Sequence, residues 1–178
     1  MHIQEALDSN LEDVLNVERT AFGYNKEAEL VRALLDDPTA LPRLSLLAFE
    51  GERAVGHVLF TSARLEQNPE AVSVALLAPL AVVADFQNQG VGGRLIERGI
   101  RILAESGVDL VFVLGHPGYY PRHGFEPAGR LGFAAPYPIP DEDADAWMVQ
   151  ALRPGVIGKV EGTVVCAEAL NRPEHWRE

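Results

Sequence analysis

Gln87-Asn88-Gln89-Gly90-Val91-Gly92-Gly93-Arg94 concentrates hydrogen-bond donors where a helix would begin. The segment follows the apolar run Leu80-Ala81-Val82-Val83 and leads into Leu95, Ile96, Ile100 and Leu103 at helical spacing. Strand, tight turn and helix start therefore stand in that order. The first amides of a helix lack intrahelical acceptors and sit at the positive end of its dipole, so they bind anions. Glycine leaves such a backbone open to a phosphate, because no Cβ stands in the way. Gln87 and Asn88 would add side-chain donors, and Arg94, one turn in, a charge. The same glycines would also serve a helix that packs closely against its neighbours, and taken alone they do not separate the two uses.

Two phosphate-binding patterns are disfavoured. A triphosphate loop needs Lys and Ser or Thr after its last glycine, which Gly93-Arg94 does not supply. A dinucleotide fingerprint needs a different glycine spacing, and here antiparallel strand candidates precede the unit.

The elements that must position this segment are legible from periodicity. His2 to Ala6 reads as a strand. A helix capped at Ser9 or Asn10 carries Leu11, Val14, Leu15, Glu18 and Phe22 at near-helical spacing, and a second begins near Lys26 and stops before Pro38. Ser45 to Phe49 and Ala54 to Phe60 read as strands joined at Glu50-Gly51-Glu52-Arg53. Val72 to Val83 is apolar enough for a strand buried on both faces, the glycine-led helix reaches about Glu105, and Asp109 to Leu114 forms the next strand. Strand, helix, strand implies a parallel pair. Further strands are expected at Trp147 to Leu152 and Gly162 to Ala167, with Trp147 in the core. No linker divides the chain, so residues 1–178 read as one mixed α/β domain with antiparallel strands flanking a parallel pair.

Length and composition narrow the setting. A chain of 178 residues with 47% hydrophobic and 23% charged residues fits an ordinary globular domain. Its net charge of −11 argues against nucleic acid and anionic membranes, and favours a cationic small molecule or peptide as partner. The longest apolar run, Val74 to Ala84, is too short to span a bilayer and contains Pro79. Met1 to Glu5 lacks the features of a signal peptide, and one cysteine, Cys166, permits no internal disulfide. A cytoplasmic setting is expected. The histidines lack metal-ligand spacing, so no metal is expected. Cys166 sits in an apolar run and reads as packing.

Gln87-x-x-Gly90-x-Gly92 after Leu80-Ala81-Val82 resembles the acyl-CoA-binding signature of the GCN5-related N-acetyltransferase (GNAT) superfamily. Tyr119-Tyr120-Pro121-Arg122-His123-Gly124-Phe125 is similar to its later short helix ending in Gly-Phe. Pro79-Leu80-Ala81-Val82 ahead of the signature, with Tyr-Tyr…Gly-Phe behind, places the likeness nearest a group of predicted acetyltransferases with undefined acceptors. The specific likeness spans Ala78 to Phe125, and the order of elements agrees over nearly the whole chain.

The resemblance implies a GNAT-like fold: a central mixed, mostly antiparallel sheet with a splayed parallel pair, and helices on both faces. It implies acetyl-CoA as co-substrate and a primary amine as acceptor. Amides from about Gln89 through Gly90, Val91 and Gly92 to Gly93 would hold the pyrophosphate, with Gln87 and Asn88 beside them, and the backbone of Leu80, Ala81 and Val82 would pair with the pantetheine arm. An amide near a strand bulge would polarise the thioester carbonyl through the tetrahedral intermediate. Tyr120 matches the tyrosine that protonates the leaving thiolate. Ala84 stands where the family usually has proline, and Gly115-His116-Pro117-Gly118 replaces a usual asparagine, so His116 is a candidate contact to CoA or substrate.

The attacking amine must lose a proton. Glu66, Asp141 and His57 are candidates for the base, each better explained as a solvated carboxylate or a strand-face histidine, and none is assigned. The acidic run Asp141-Glu142-Asp143 with Asp145 suits a cationic acceptor or simply solvent. Edge strands in the C-terminal third leave room for a homodimer. The competing reading is a non-catalytic acyl-CoA-binding module on the same fold.

Overall fold

The computed structural model describes residues 1–177. Along the chain run β1 (His2–Glu5), α1 (Leu11–Phe22), α2 (Lys26–Leu35), β2 (Leu44–Glu50), β3 (Arg53–Leu65) and β4 (Val74–Val82). Then come α3 (Val91–Glu105), β5 (Leu110–Leu114), β6 (Glu126–Pro127), β7 (Phe133–Ala134), β8 (Trp147–Ala151) and β9 (Gly162–Val165). The main sheet has the order β1-β2-β3-β4-β5-β8-β6. Its pairings are antiparallel except β4 with β5, and the short β7 lies parallel to β9, which joins the far end of β3. No helix among the described residues is long and apolar enough to cross a membrane.

The period-two alternation of β3 puts helices on both faces. A Cβ at Gly56 would lie 2.9 Å from Val91 Cγ1 and 3.0 Å from Leu95 Cδ1, so this side of β3 meets α3. The next residue, His57, points the opposite way, where its Nδ1 and Glu18 Oε2 of α1 share a hydrogen bond of 2.6 Å. Helix α1 turns Val14, Leu15, Val17 and Glu18 inward, the i, i+3, i+4 stripe of an amphipathic helix. Glu18 and His57 are fully buried, and His57 Nε2 lies 2.8 Å from Ser45 Oγ on β2. A buried charge without a partner is costly, and here the imidazole supplies one. Desolvation nonetheless raises the Glu18 carboxyl above its ordinary range, partly offset by His57.

Two strands depart from the periodicity reading. β3 runs on to Leu65, beyond the expected end at Phe60, because its last residues bend over to pair Arg64 with Val165 and Leu65 with Val164. β4 is buried on both faces only as far as Leu77, while Ala78, Pro79 and Leu80 are half-buried. That change marks the site.

Candidate functional site

β4 leaves its parallel neighbour halfway along. Val74 to Leu77 pair with Leu110 to Val113, and the ladder then stops. On the other edge the β3 register slips between Val58–Leu80 and Phe60–Leu77, so Ala78 and Pro79 together oppose Leu59 as a bulge. Pro79 has no N–H to give either neighbour. Past the bulge, Val83 N–H donates to Val55 C=O over 3.0 Å. The antiparallel alternation then puts Ala81 in a hydrogen-bonded pair with His57, and turns the N–H and C=O groups of Leu80 and Val82 away from β3. They face the gap opened by the separation of β5, a missing-strand slot.

The slot leads to the N-terminus of α3. Asn88 (φ 61°) and Gly90 (φ 84°) both take the left-handed conformation, bringing the chain sharply from the β4 loop into the helix. The first intrahelical bond is from Arg94 N–H to Gly90 C=O, so the amides of Gly90 to Gly93 have no partner within the helix. The loop before them is braced. Arg53 forms a two-pronged ion pair with Asp85 at 2.7 and 3.1 Å and lies over the Phe86 ring. Gln87 Nε2 donates to Val82 C=O over 2.9 Å, and Gln89 Nε2 to Asp85 C=O over 3.0 Å. The side chains of Gln87 and Gln89 thus hold the loop, while the first amides of the helix stay open.

Leu80, Val82, Gln87, Asn88, Gly90, Val91, Gly92 and Gly93 line one cleft of about 470 Å³. Ala81 does not: its side chain is buried in the sheet. Nor does Arg94; the cation in this cleft is Arg122, beside Tyr119 and His123. Two glycines are fixed by that wall. A Cβ at Gly92 would collide with the Tyr119 hydroxyl, and one at Gly93 would approach His123 Cε1 to 2.7 Å. Both uses of the glycines considered above therefore coexist: open amides on one side, close packing on the other. Tyr119 is held edge-on to Tyr120 and under the Arg122 guanidinium, 5.3 Å from its ring centre.

A second cleft, of about 500 Å³, opens at the bulge end of the slot. Ala78, Pro79 and Leu80 of β4 form one wall, Val113 to His116 the other, and Tyr119 and Tyr120 the edge between the two clefts. Phe22, Lys26, Glu27 and Leu30 close it from α1 and α2, and Leu170, Glu174, His175 and Arg177 from the C-terminal segment. The Tyr120 ring fits against Gly115, where a Cβ would overlap it. Burial pushes the Tyr120 phenol far above its ordinary value, with Tyr119 adding to the effect. Its proton stays in place across the physiological range. His116 accepts from Gly118 N–H at Nδ1 over 3.0 Å, so in its neutral form Nε2 carries the proton.

Of the three bases considered from sequence, none lies here. His57 is sealed in the core with Glu18 and Ser45. Glu66 follows β3, where its N–H donates to Thr163 C=O, and Asp141 begins an exposed turn before β8. Neither lines the clefts described. Glu27, His175 and Arg122 are the residues the sequence reading passed over. Arg122 and His123 stood inside the Tyr-Tyr…Gly-Phe segment and could have been noticed as a basic pair, whereas nothing local marks Glu27 or His175. Burial raises the Cys166 thiol to about 11, which keeps it un-ionised and a poor nucleophile. No group of three or more His, Cys, Asp or Glu among the described residues could hold a metal.

The chain matches the acetyltransferase (GNAT) domain family over residues 2–128. The uncharacterized N-acetyltransferase YjhQ of Escherichia coli K12 is 52% identical over 152 residues, which are 85% of this chain and 83% of that protein. Among solved structures, the GNAT family N-acetyltransferase YhbS of Escherichia coli in complex with CoA superposes with a TM-score of 0.86 at 28% identity, covering 96% of this chain and 92% of that one. A GNAT family acetyltransferase from Brucella melitensis in complex with acetyl-CoA gives 0.75 at 26% identity, covering 95% and 97%.

Proposed function

The chain belongs to the GNAT acetyltransferase family, and from that premise we propose that it moves the acetyl group of acetyl-CoA to a primary amine of a small molecule or peptide by direct attack. The observation that carries this reading is the slot between β4 and β5, which runs from unpaired helix amides to a buried tyrosine. A phosphate-ended thioester fits such a slot, since anion, extended amide arm and acyl group each meet a suitable surface. We assign the pyrophosphate to the amides of Gly90 to Gly93, with Asn88 and Arg122 beside them. The pantetheine arm takes the place of the missing strand, hydrogen-bonding to the N–H and C=O of Leu80 and to the N–H of Val82, whose C=O is held by Gln87. Similar structures holding CoA and acetyl-CoA support the donor.

Amine nitrogen attacks the carbonyl carbon; the C–N bond forms, the C–S bond breaks, and sulfur leaves with the bond pair. Tyr120 donates its proton to that sulfur and recovers one from the nitrogen, so it ends unchanged. Its desolvation suits this role, because the phenol is neutral when the thiolate departs. Holding both reactants in line supplies much of the acceleration. The unit proposed to act is the single domain 1–178, without a metal.

Thermal stability with acetyl-CoA, CoA, ATP and NAD tests the donor site. A ligand at a hundred times its Kd stabilises by about 2.7 kcal/mol, a rise of roughly 5–10 °C for a chain of this size. A rise with acetyl-CoA and CoA alone is expected, and none with either in folded protein overturns the assignment. Binding without turnover of any amine would leave a non-catalytic acyl-CoA module.

A further inference from the structure

Glu27 lines the cleft beside Tyr120, and its Oε2 is shut off from water with no hydrogen-bond partner. A carboxylate half withdrawn from solvent in this way must be balanced from its open side, which is the cleft. Glu18 lies within its electrostatic reach on α1 and has a second unpartnered, buried oxygen, Oε1. Lys26, Glu174 and Arg177 are the other charged residues that line the cleft. His175, on the C-terminal segment, lines the same cleft within electrostatic reach of Glu27. That segment is pinned: Asp37 accepts from Ala169 N–H over 2.9 Å, and the Trp176 indole donates to Leu170 C=O over 2.9 Å.

Resting on the acetyl-transfer reading above, we propose that the acceptor is a compact primary alkylammonium ion, held at the open side of Glu27 and deprotonated by His175. The ammonium supplies the charge that the half-desolvated carboxylate lacks. His175 takes one proton from nitrogen, the free amine attacks the thioester, and the proton later passes from the imidazole to water. Desolvation holds the His175 imidazole below its ordinary value; Lys26 of α2 and Arg172 of its own segment lower it too, against Glu174 and Glu27, which raise it. It is thus unprotonated and ready to accept at neutral pH. The cleft of about 500 Å³ also has to admit the acetyl end of the donor, which leaves room for a small molecule or one extended side chain.

The probes are 1,5-diaminopentane, spermidine and lysine methyl ester, all charged near neutral pH, with 4-methoxyaniline as an uncharged control. Initial rates are measured with saturating acetyl-CoA for the parent, Glu27→Gln and His175→Ala. Expected is turnover of at least one alkylammonium probe, and a KM for it raised about thirtyfold in Glu27→Gln with the acetyl-CoA KM unchanged. The parent kcat/KM is expected to be nearly flat from pH 7 to 9. In His175→Ala it is expected to rise close to tenfold per pH unit, following the free-amine fraction. Glu27→Gln within threefold of the parent, or an unaltered profile in His175→Ala, overturns the inference and leaves the acetyltransferase standing. So does a parent that binds acetyl-CoA yet acetylates only the arylamine or none of the probes. Loss of the acetyl-CoA thermal shift itself marks failure of the underlying function instead. The Tm of each variant shows that the compared proteins are folded.

Discussion

The two ends of the slot between β4 and β5 are built from different materials. At the α3 end the proposed binding groups are amides of one short stretch, Asn88 to Gly93, set by two left-handed residues and a braced loop. At the bulge end they are side chains from α2, from the loop after β5 and from the last residues of the chain, brought together only by the fold. Backbone recognition is local and tolerates change in side chains that do not pack on it. Side-chain recognition is assembled from afar and can be altered one residue at a time. One end is therefore suited to a constant ligand and the other to a variable one.

That contrast can be broken in order of expected effect. Tyr120→Phe, at the junction, should lower kcat by about 10²–10⁴-fold while leaving the CoA Kd within a factor of two, since general-acid catalysis contributes on that order. Equal losses in both would put Tyr120 in the packing alone. Glu18→Ala should destabilise the fold by about 3–5 kcal/mol, because it leaves the buried His57 without its carboxylate. Chemical denaturation reads this, and a selective loss at either end would contradict a purely structural role.

Gly92→Ala comes next. Its Cβ must displace the Tyr119 hydroxyl, and overpacking of this kind costs about 1–3 kcal/mol, to be seen chiefly as weaker CoA binding by calorimetry. Arg122→Ala should raise the CoA Kd about tenfold and flatten its dependence on salt, because a charge-assisted contact is lost. The smallest effect belongs to Asp37. Desolvation opposes its charge, but hydrogen bonds from Thr39 and Ala169 prevail and hold its carboxyl below the ordinary value. A depressed folded-state pKa contributes stability above the unfolded value, about 3.9, and loses it as pH falls through the folded one. Asp37→Asn should therefore lower Tm by a few degrees at pH 7, and the difference from the parent should shrink as pH falls below the ordinary carboxylate value of about 3.9.

Legibility followed the same division. Apolar periodicity located α1, α2, α3 and the strands from β1 to β5 because each buries a face whose spacing is written locally. The slot's lining was largely readable for the same reason: Leu80, Val82 and Gly90 to Gly93 are consecutive or nearly so. β6 and β7, each two residues long, carried no periodic signal, and the extension of β3 to Leu65 depends on pairing with β9, a hundred residues later. Glu27 looked like any first-turn helix carboxylate. His175 stood in a polar stretch broken only by Trp176, with no periodic apolar spacing to mark it. Only the return of the C-terminal segment, anchored by Trp176 against Trp147, places it over the cleft.

The half-paired β4 has a consequence for the chain before any ligand arrives. The N–H and C=O of Leu80 and the N–H of Val82 stand unpaired in the middle of a sheet, and such an edge accepts an extended segment that reaches it. Filling the slot with the pantetheine arm would close that edge. The co-substrate would then act as a folding ligand as well as a reagent, and the lifetime of the protein in a cell would follow the size of the coenzyme A pool.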